Sequence, residues 1–445
     1  MKLLRVKDNC VLPESDFAPV QHVVDKIADK SLGELEKEGV FVFPEKINDA
    51  PDIEDEQVIL QSFNNCYRTG NVMGFVGCGS ERLAIESRFS SDEQDYFFQY
   101  LLECVMGFPN VVDLSVGVNQ ENMLFNLMLF LFPRYLKDAL RKGLFKTYIR
   151  NQYNDSHVSG SINIPRHISQ NTPFVGNVAY SQREYSYDNE LMELVRHTIE
   201  FIQRKPCGSF LLSKVKEEVS LVMDATNRYR FHDRQKVIAV NKKTPIRHAY
   251  YREYRNLQHL CMLILQHQKH QIGIGVKQVY GILFDGAWLW EEYINLLVGD
   301  VFYHPMNRER QGSQCLFAGN IGLIYPDFIG RNGQQRVIGD AKYKPAENIR
   351  NKDYLQLLAY MLRFDARKGF YFYPSTNNMR EKRLWVNEGS TYEKNVKPRE
   401  DMCVVKMGLV IPKCLETYEE FVQQVKTEEL VFKRTLSNNI RSVEP

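Results

Sequence analysis

No nucleotide-binding loop occurs anywhere in these 445 residues. There is no Gly-x-x-x-x-Gly-Lys-Ser/Thr, and Gly74, Gly77 and Gly79 are too irregular for a dinucleotide fingerprint. The chain is therefore not expected to hydrolyse nucleotides itself. Nine cysteines occur without a single Cys-x-x-Cys pair, so they read as reduced thiols and zinc is not expected. His267-Gln268-Lys269-His270 lacks cysteine or acidic partners and reads as a solvated helix end. The longest apolar run, around residues 123–131, is broken by Asn126 and falls far short of a bilayer. Met1-Lys2-Leu3-Leu4-Arg5-Val6-Lys7-Asp8 has no apolar core long enough for a signal peptide. These absences predict a soluble, cytoplasmic protein with no membrane association. A net charge of +2 announces no polyanion partner by itself, so any DNA surface must be local.

What is present concentrates in one stretch. Ile324-Tyr325-Pro326-Asp327-Phe328-Ile329-Gly330 and Arg336-Val337-Ile338-Gly339-Asp340-Ala341-Lys342-Tyr343-Lys344 are apolar and β-branched or aromatic, with Arg331-Asn332-Gly333 between them. That is the signature of two antiparallel strands joined by an Asn-Gly turn. Side chains alternate across a strand, which puts Asp340 and Lys342 on one face, with Asp327 on the neighbouring strand in reach. Two hard oxygen ligands, Asp327 and Asp340, suit Mg²⁺ with positions left for water and a substrate phosphate. Such an ion acidifies water and stabilises charge at phosphorus, and Lys342 would position the water or neutralise the transition state. An ion pair on a surface hairpin is the plain alternative.

Pro-Asp, a gap and then Asp-x-Lys resembles the PD-(D/E)xK nuclease signature. Downstream, residues 351–364 read as an amphipathic helix, with Leu355, Leu358, Ala359 and Leu362 at helical spacing. Gln356 and Tyr360 stand four apart and share a face. A Gln-x-x-x-Tyr helix after the Asp-x-Lys strand is similar to the RecB-like branch of these nucleases. Upstream, Trp288-Leu289-Trp290-Glu291-Glu292-Tyr293 begins another helix, offering Glu291 or Glu292 to the metal. Helix, three strands near 315–317, 321–329 and 336–344, helix, and a strand at 369–373 match the αβββαβ core those enzymes share.

The middle of the chain carries a second resemblance. Tyr148-Ile149-Arg150-Asn151, His157-Val158-Ser159-Gly160-Ser161-Ile162 and Tyr185-Ser186-Tyr187-Asp188-Asn189 form an ordered pattern that resembles the McrC family. That family supplies the nuclease subunit of McrBC-type GTP-dependent restriction systems. It usually has Arg-Gly where this chain has Ser159-Gly160. Bottom-up, Gly160 reads as a turn before a strand, and Asp188 or Asn189 as the N-cap of a helix over 190–203. The resemblance implies a McrB-like AAA+ GTPase hexamer as partner, double-stranded DNA as substrate and GTP bound by the partner.

The fold expected is α/β (α+β) in three consecutive segments. Residues 1–145 form a mixed β/α partner-engaging domain, 146–265 a mostly helical, basic middle region, and 266–445 the nuclease domain. Residues 227–256 gather Arg228, Arg230, Arg234, Lys236, Lys242, Lys243, Arg247, Arg252 and Arg255 among tyrosines. Arg228, Arg230, Arg234, Lys242 and Lys243 are the candidate phosphate contacts, against the alternative of a solvated helix face. The function expected is Mg²⁺-dependent DNA endonuclease subunit of a restriction complex. A RecB-like repair exonuclease and a non-catalytic scaffold that activates the GTPase remain as alternatives.

Overall fold

Strand Val279–Asp285 fills the interior of a sheet otherwise built from the first 90 residues, running antiparallel to Val72–Cys78 and parallel to Val40–Phe43. The computed structural model describes residues 2–38, 40–43, 57–90, 95–106, 120–205, 208–246, 248–270, 279–305, 313–331, 336–392 and 394–441. The chain divides into two compact units, Met1–Asp113 with Gly275–Pro445, and Leu114–Ile274. The boundaries at 145 and 265 read from the sequence do not coincide with these. Periodicity reports where strands lie but not which strands pair, and the pairing of Val279–Asp285 draws the two ends of the chain together.

In the first unit the N-terminal sheet runs Lys2–Lys7, Glu81–Glu86, Val72–Cys78, Val279–Asp285, Val40–Phe43. Val23, Val24 and Ile27 from helix Gln21–Ile27 pack on it beside Val76, Leu83 and Leu283. Asp285 then ends the last-joined strand by capping helix Gly286–Val298, its carboxylate accepting the N–H of Ala287 (2.8 Å) and Trp288 (3.2 Å). A second sheet follows in the order Phe302–Tyr303, Phe328–Gly330, Val337–Ala341, Lys368–Ser375, Lys397–Val410, Glu381–Glu388. Its first three strands are antiparallel, and the next two continue parallel. Phe302, Phe328, Phe370, Phe372 and Phe432 meet edge to face and stacked beneath it. Each such ring contributes about 1.5–3 kcal/mol by leaving water.

Three details depart from the sequence reading. The first strand of the second sheet is Phe302–Tyr303, and Gln314–Phe317 pairs only with Ile321–Ile324 in a separate hairpin. In helix Asn351–Arg363 the buried side chains are Leu357, Tyr360 and Met361, leaving Leu355 and Leu362 exposed. Leu357 and Met361 occupy the space a side chain at Gly369 would need, which sets the helix rotation. The chain after Phe432, expected to fray as a terminus, instead continues helix Tyr418–Arg441, burying Leu436 and Ile440, with Asn439 bonded to Glu381 and Arg383. Asn332-Gly333, Arg247 and Ser91-Asp92, the last expected with Ser90 to cap the helix that follows, lie outside the described residues, as do the side chains of His267–His270.

The apolar stretches 123–131 and 135–144, parted by Pro133, suggest two buried helices, but the described residues of the second unit open with one helix, Gln120–Leu140, that runs through Pro133. Strands Thr147–Asp155, Val178–Ser186 and Ser161–Ile162 follow as an antiparallel sheet, so this region is less purely helical than expected. Gly160 precedes the short strand where a Cβ would stand 2.3 Å from the Ser181 carbonyl, so only glycine fits. Asn189 caps helix Glu190–Gln203 through the N–H of Met192 (3.2 Å). That helix and Gln120–Leu140 both pack on Arg252–His270.

His197, on helix Glu190–Gln203, is fully buried with neither ring nitrogen hydrogen-bonded. Burial, then the guanidinium of Arg234, pushes its pKa down to about 4. The unfolded chain takes up that proton more readily, so the stabilisation is complete above pH 6.5 and is lost as pH falls towards 4. Urea unfolding of the wild type is expected to lose about 2 kcal/mol between pH 7 and pH 5 from this group. His197→Phe is expected to flatten that slope; an unchanged slope removes His197 as its source.

Candidate active site

The antiparallel register sets Phe328 opposite Gly339 and Ile329 opposite Ile338. Extending it by one residue puts Asp327 opposite Asp340, on the same face of the ladder. Gly339 points the other way, where an added Cβ would come within 2.7 Å of the buried Phe372 ring. Close packing below the strand thus fixes which side chains stand above it. Asp340 is 2 % exposed and its Oδ2 lies 2.7 Å from Nζ of Lys342. Asp327 Oδ2 accepts the Ala341 N–H at 2.8 Å. The two carboxylates and the ammonium converge as the alternation predicted.

The electrostatics follow from that crowding. Burial, with the charges of Glu291 and Asp340, pushes Asp327 well above the usual carboxylate range. Burial also raises Asp340, and Lys342 offsets part of that rise. Burial alone would lower Lys342, but Asp340 and Asp327 outweigh it and hold the ammonium charged, above an ordinary lysine. With one cation among clustered acids, the crowding favours the protonated form of Asp327.

Helix Asn351–Arg363 supports the lysine. Nζ of Lys342 donates a long bond, 3.5 Å, to Oε1 of Gln356. Gln356 Nε2 donates to the Tyr360 hydroxyl at 2.7 Å, and that hydroxyl donates to the Tyr325 carbonyl at 3.3 Å. The Gln-x-x-x-Tyr pair therefore reaches the segment, just before strand Phe328–Gly330, that carries Asp327. From the other side, Glu291 and Glu292 rise half-buried from helix Gly286–Val298. Trp290 on that helix anchors it through Nε1 to the Phe372 carbonyl (3.0 Å).

Two residues of this site were missed by sequence. His304 lies just beyond the strand Phe302–Tyr303; its Nδ1 donates to the Asp327 carbonyl at 2.7 Å, and Nε2 stands 3.8 Å from both Glu291 and Glu292. Burial would lower its pKa, but Glu292 and the Asp327 carbonyl raise it overall. Its role depends on Phe302–Tyr303 being the edge strand, which the sequence reading placed elsewhere. Arg88, from the N-terminal sheet's side of the same unit, donates to the Tyr343 carbonyl and to Asn71 Oδ1 (2.8 Å), with its guanidinium 4.7 Å above the Tyr343 ring. It thereby braces the backbone that carries Lys342 and Lys344.

Asp327, Asp340 and Glu291 offer hard oxygens of net negative charge, which fits Mg²⁺. Among the described residues no group of three or more His, Cys, Asp and Glu stands placed to hold a metal ion, so the carboxylates that meet on the ladder, Asp327 and Asp340, are the pair to consider.

The candidate phosphate contacts divide. Arg228 is exposed; its backbone N–H donates to Asp188 Oδ2 (3.0 Å) and its Nη1 to Asn151 Oδ1 (2.6 Å). The Arg234 guanidinium packs 5.3 Å from the Phe231 ring. Arg230, Lys242 and Lys243 are exposed. No described helix is long and apolar enough to cross a membrane.

Fold and site together define a mixed α+β protein with an acid–acid–lysine cluster on the face of a sheet. A family model, the McrBC 5-methylcytosine restriction system component, matches residues 67–374. The chain belongs to that family. No curated protein matches the sequence. Among solved structures, it is similar to a chain of the Thermococcus gammatolerans half-complex of McrB AAA+ hexamers with bound McrC. That match has a TM-score of 0.50 and 16 % identity, over 98 % of this chain and 99 % of that one. A second match, in the Thermococcus gammatolerans McrBC complex, has a TM-score of 0.31 and 15 % identity, over 68 % of this chain and 90 % of that one.

Proposed function

We propose that this chain is the Mg²⁺-dependent endonuclease subunit of a restriction complex, with a PD-(D/E)xK core, cleaving DNA phosphodiester bonds when assembled with a McrB-like AAA+ GTPase hexamer. The observation that carries this is the convergence of Asp327, Asp340 and Lys342, with Nζ of Lys342 2.7 Å from Asp340. Asp327 and Asp340 would hold the cation, with Glu291 next to them. When bound, the ion supplies positive charge at the scissile phosphate and acidifies water. Lys342, kept charged by its two acidic neighbours, directs its free N–H bonds at the phosphate oxygens. Gln356 and Tyr360 hold Lys342 in place, and His304 positions Asp327 through its carbonyl.

Partner engagement fits the second unit better than residues 1–145. Its connection between strands exposes Val158, Ile162, Ile164, Ile168, Phe174 and Val175. Solvent-facing apolar side chains in such density mark an interaction surface. The GTP would belong to the partner, whose hydrolysis this chain stimulates.

The test is purified chain, partner, GTP and Mg²⁺ on methylated and unmethylated plasmid. Linearisation of one plasmid that stops on chelation is expected. Stimulated GTP hydrolysis with both plasmids intact would favour the scaffold, and digestion from free ends without GTP the repair exonuclease.

A further inference from the structure

Tyr343, the residue after Lys342, is boxed in by side chains around the N-terminal sheet. Its hydroxyl lies 2.8 Å from Ser87 Oγ and 3.3 Å from Met73 Sδ, and the Phe89 ring meets it edge to face, 5.0 Å between centroids. A Cβ at Gly286 would come within 2.7 Å of the same ring. Arg88 lies over the ring and donates to the Tyr343 carbonyl. That carbonyl belongs to the residue next to Lys342, whose own carbonyl accepts the Lys344 N–H at 2.8 Å. Whatever fixes the Arg88 guanidinium therefore acts on the backbone that carries the lysine.

Asp8 stands where it can do so. It follows strand Lys2–Lys7 directly and is fully buried. Its Oδ1 accepts the Arg88 backbone N–H at 2.5 Å, and its Oδ2 stands 3.5 Å from Arg88 Nη1. Burial pushes the Asp8 pKa up to about 6, with Arg88 pulling against that rise, so the carboxyl is ionised at neutral pH. Nη2, the other arm of the fork, reaches Asn71 Oδ1 and the Tyr343 carbonyl. A buried ion pair is seldom more stable than apolar side chains of the same volume. What it adds is direction, since a planar guanidinium held by one arm points the other.

We propose that Asp8 is a positioning residue for Lys342: it orients Arg88 onto the Tyr343 carbonyl, and so sets where the lysine ammonium stands. The inference rests on the proposed function only in taking Lys342 as the group that meets the phosphate. A tie between layers would need no more than the Tyr343 ring, which already fills its box. The bond to the carbonyl acts on the backbone instead.

The experiment is plasmid cleavage by the full chain with its partner, GTP and Mg²⁺, read as kcat and as KM for DNA, with the partner's GTP hydrolysis measured alongside. Asp8→Asn and Arg88→Met are each expected to lower kcat about tenfold, as small displacements of a catalytic group do, with KM and GTPase stimulation unchanged. The deciding measurement is the pair. In a Lys342→Ala background, Arg88→Met is expected to cost nothing further, because its effect runs through an ammonium already gone. Circular dichroism confirms folding, and the shape-keeping Asp8→Asn carries the same cycle if Arg88→Met does not fold. An equal loss in both backgrounds overturns the proposal and leaves a structural tie. So does a wild-type kcat in both folded variants, or GTPase stimulation lost together with cleavage. Those results leave a cutting wild type and the nuclease reading intact; a wild type that never cuts sinks that reading and this inference with it.

Discussion

Replacing Asp340 by alanine is expected to lower DNA cleavage by about a thousandfold or more, while stimulation of GTP hydrolysis by the partner persists. Asp340 is buried on the strand, opposite Asp327 and in contact with Lys342, so its loss removes the lysine's anchor and, on the proposed function, a cation ligand. Activities are to be read side by side: plasmid cleavage with Mg²⁺ and GTP, and phosphate release by the partner. The isosteric Asp340→Asn keeps the shape of the site and guards against a folding defect. Cleavage at the wild-type rate in either variant removes Asp340 from the chemistry.

Lys342→Ala has a different signature. It strips the ammonium from between Asp340 and Asp327, and an uncompensated buried charge costs about 3–5 kcal/mol. The variant is expected to cleave about a hundredfold more slowly or worse, yet still to bind the ion, which now replaces the missing positive charge. Mg²⁺ should therefore raise the melting temperature of Lys342→Ala by more than it raises that of wild type, since a ligand of the folded state stabilises by mass action. Normal turnover takes lysine out of the mechanism. An equal Mg²⁺ shift in both proteins means that the lysine and the ion do not share a site.

The site was legible because its parts are close in sequence and obey simple periods. Two-residue alternation places Asp340 beside Lys342, and the four-residue spacing joins Gln356 to Tyr360, which the structure bonds at 2.7 Å. What escaped was set by pairing and packing at a distance. His304 matters only because Phe302–Tyr303 pairs with Ile329 and Gly330, and Arg88 only because it meets Tyr343 across 255 residues of sequence. The rotation of helix Asn351–Arg363 was misread for a related reason. Leu355 and Leu362 satisfy the helical period as well as Leu357 and Met361, but Gly369 leaves room for the second pair alone. The surface at 227–256 was read from its charge count, which does not show that the exposed Arg228 side chain also bonds Asn151.

The interior place of Val279–Asp285 in the N-terminal sheet bears on how the protein is made. As the chain leaves the ribosome, Val40–Phe43 waits for residue 285 to emerge, because among the described residues its one neighbour in the sheet is that late strand. All of Leu114–Ile274 is synthesised in the interval. The inserted unit can thus fold while the first sheet still has an open edge, the kind of edge that invites aggregation. Truncating the gene anywhere between these segments strands the earlier half without its closing piece.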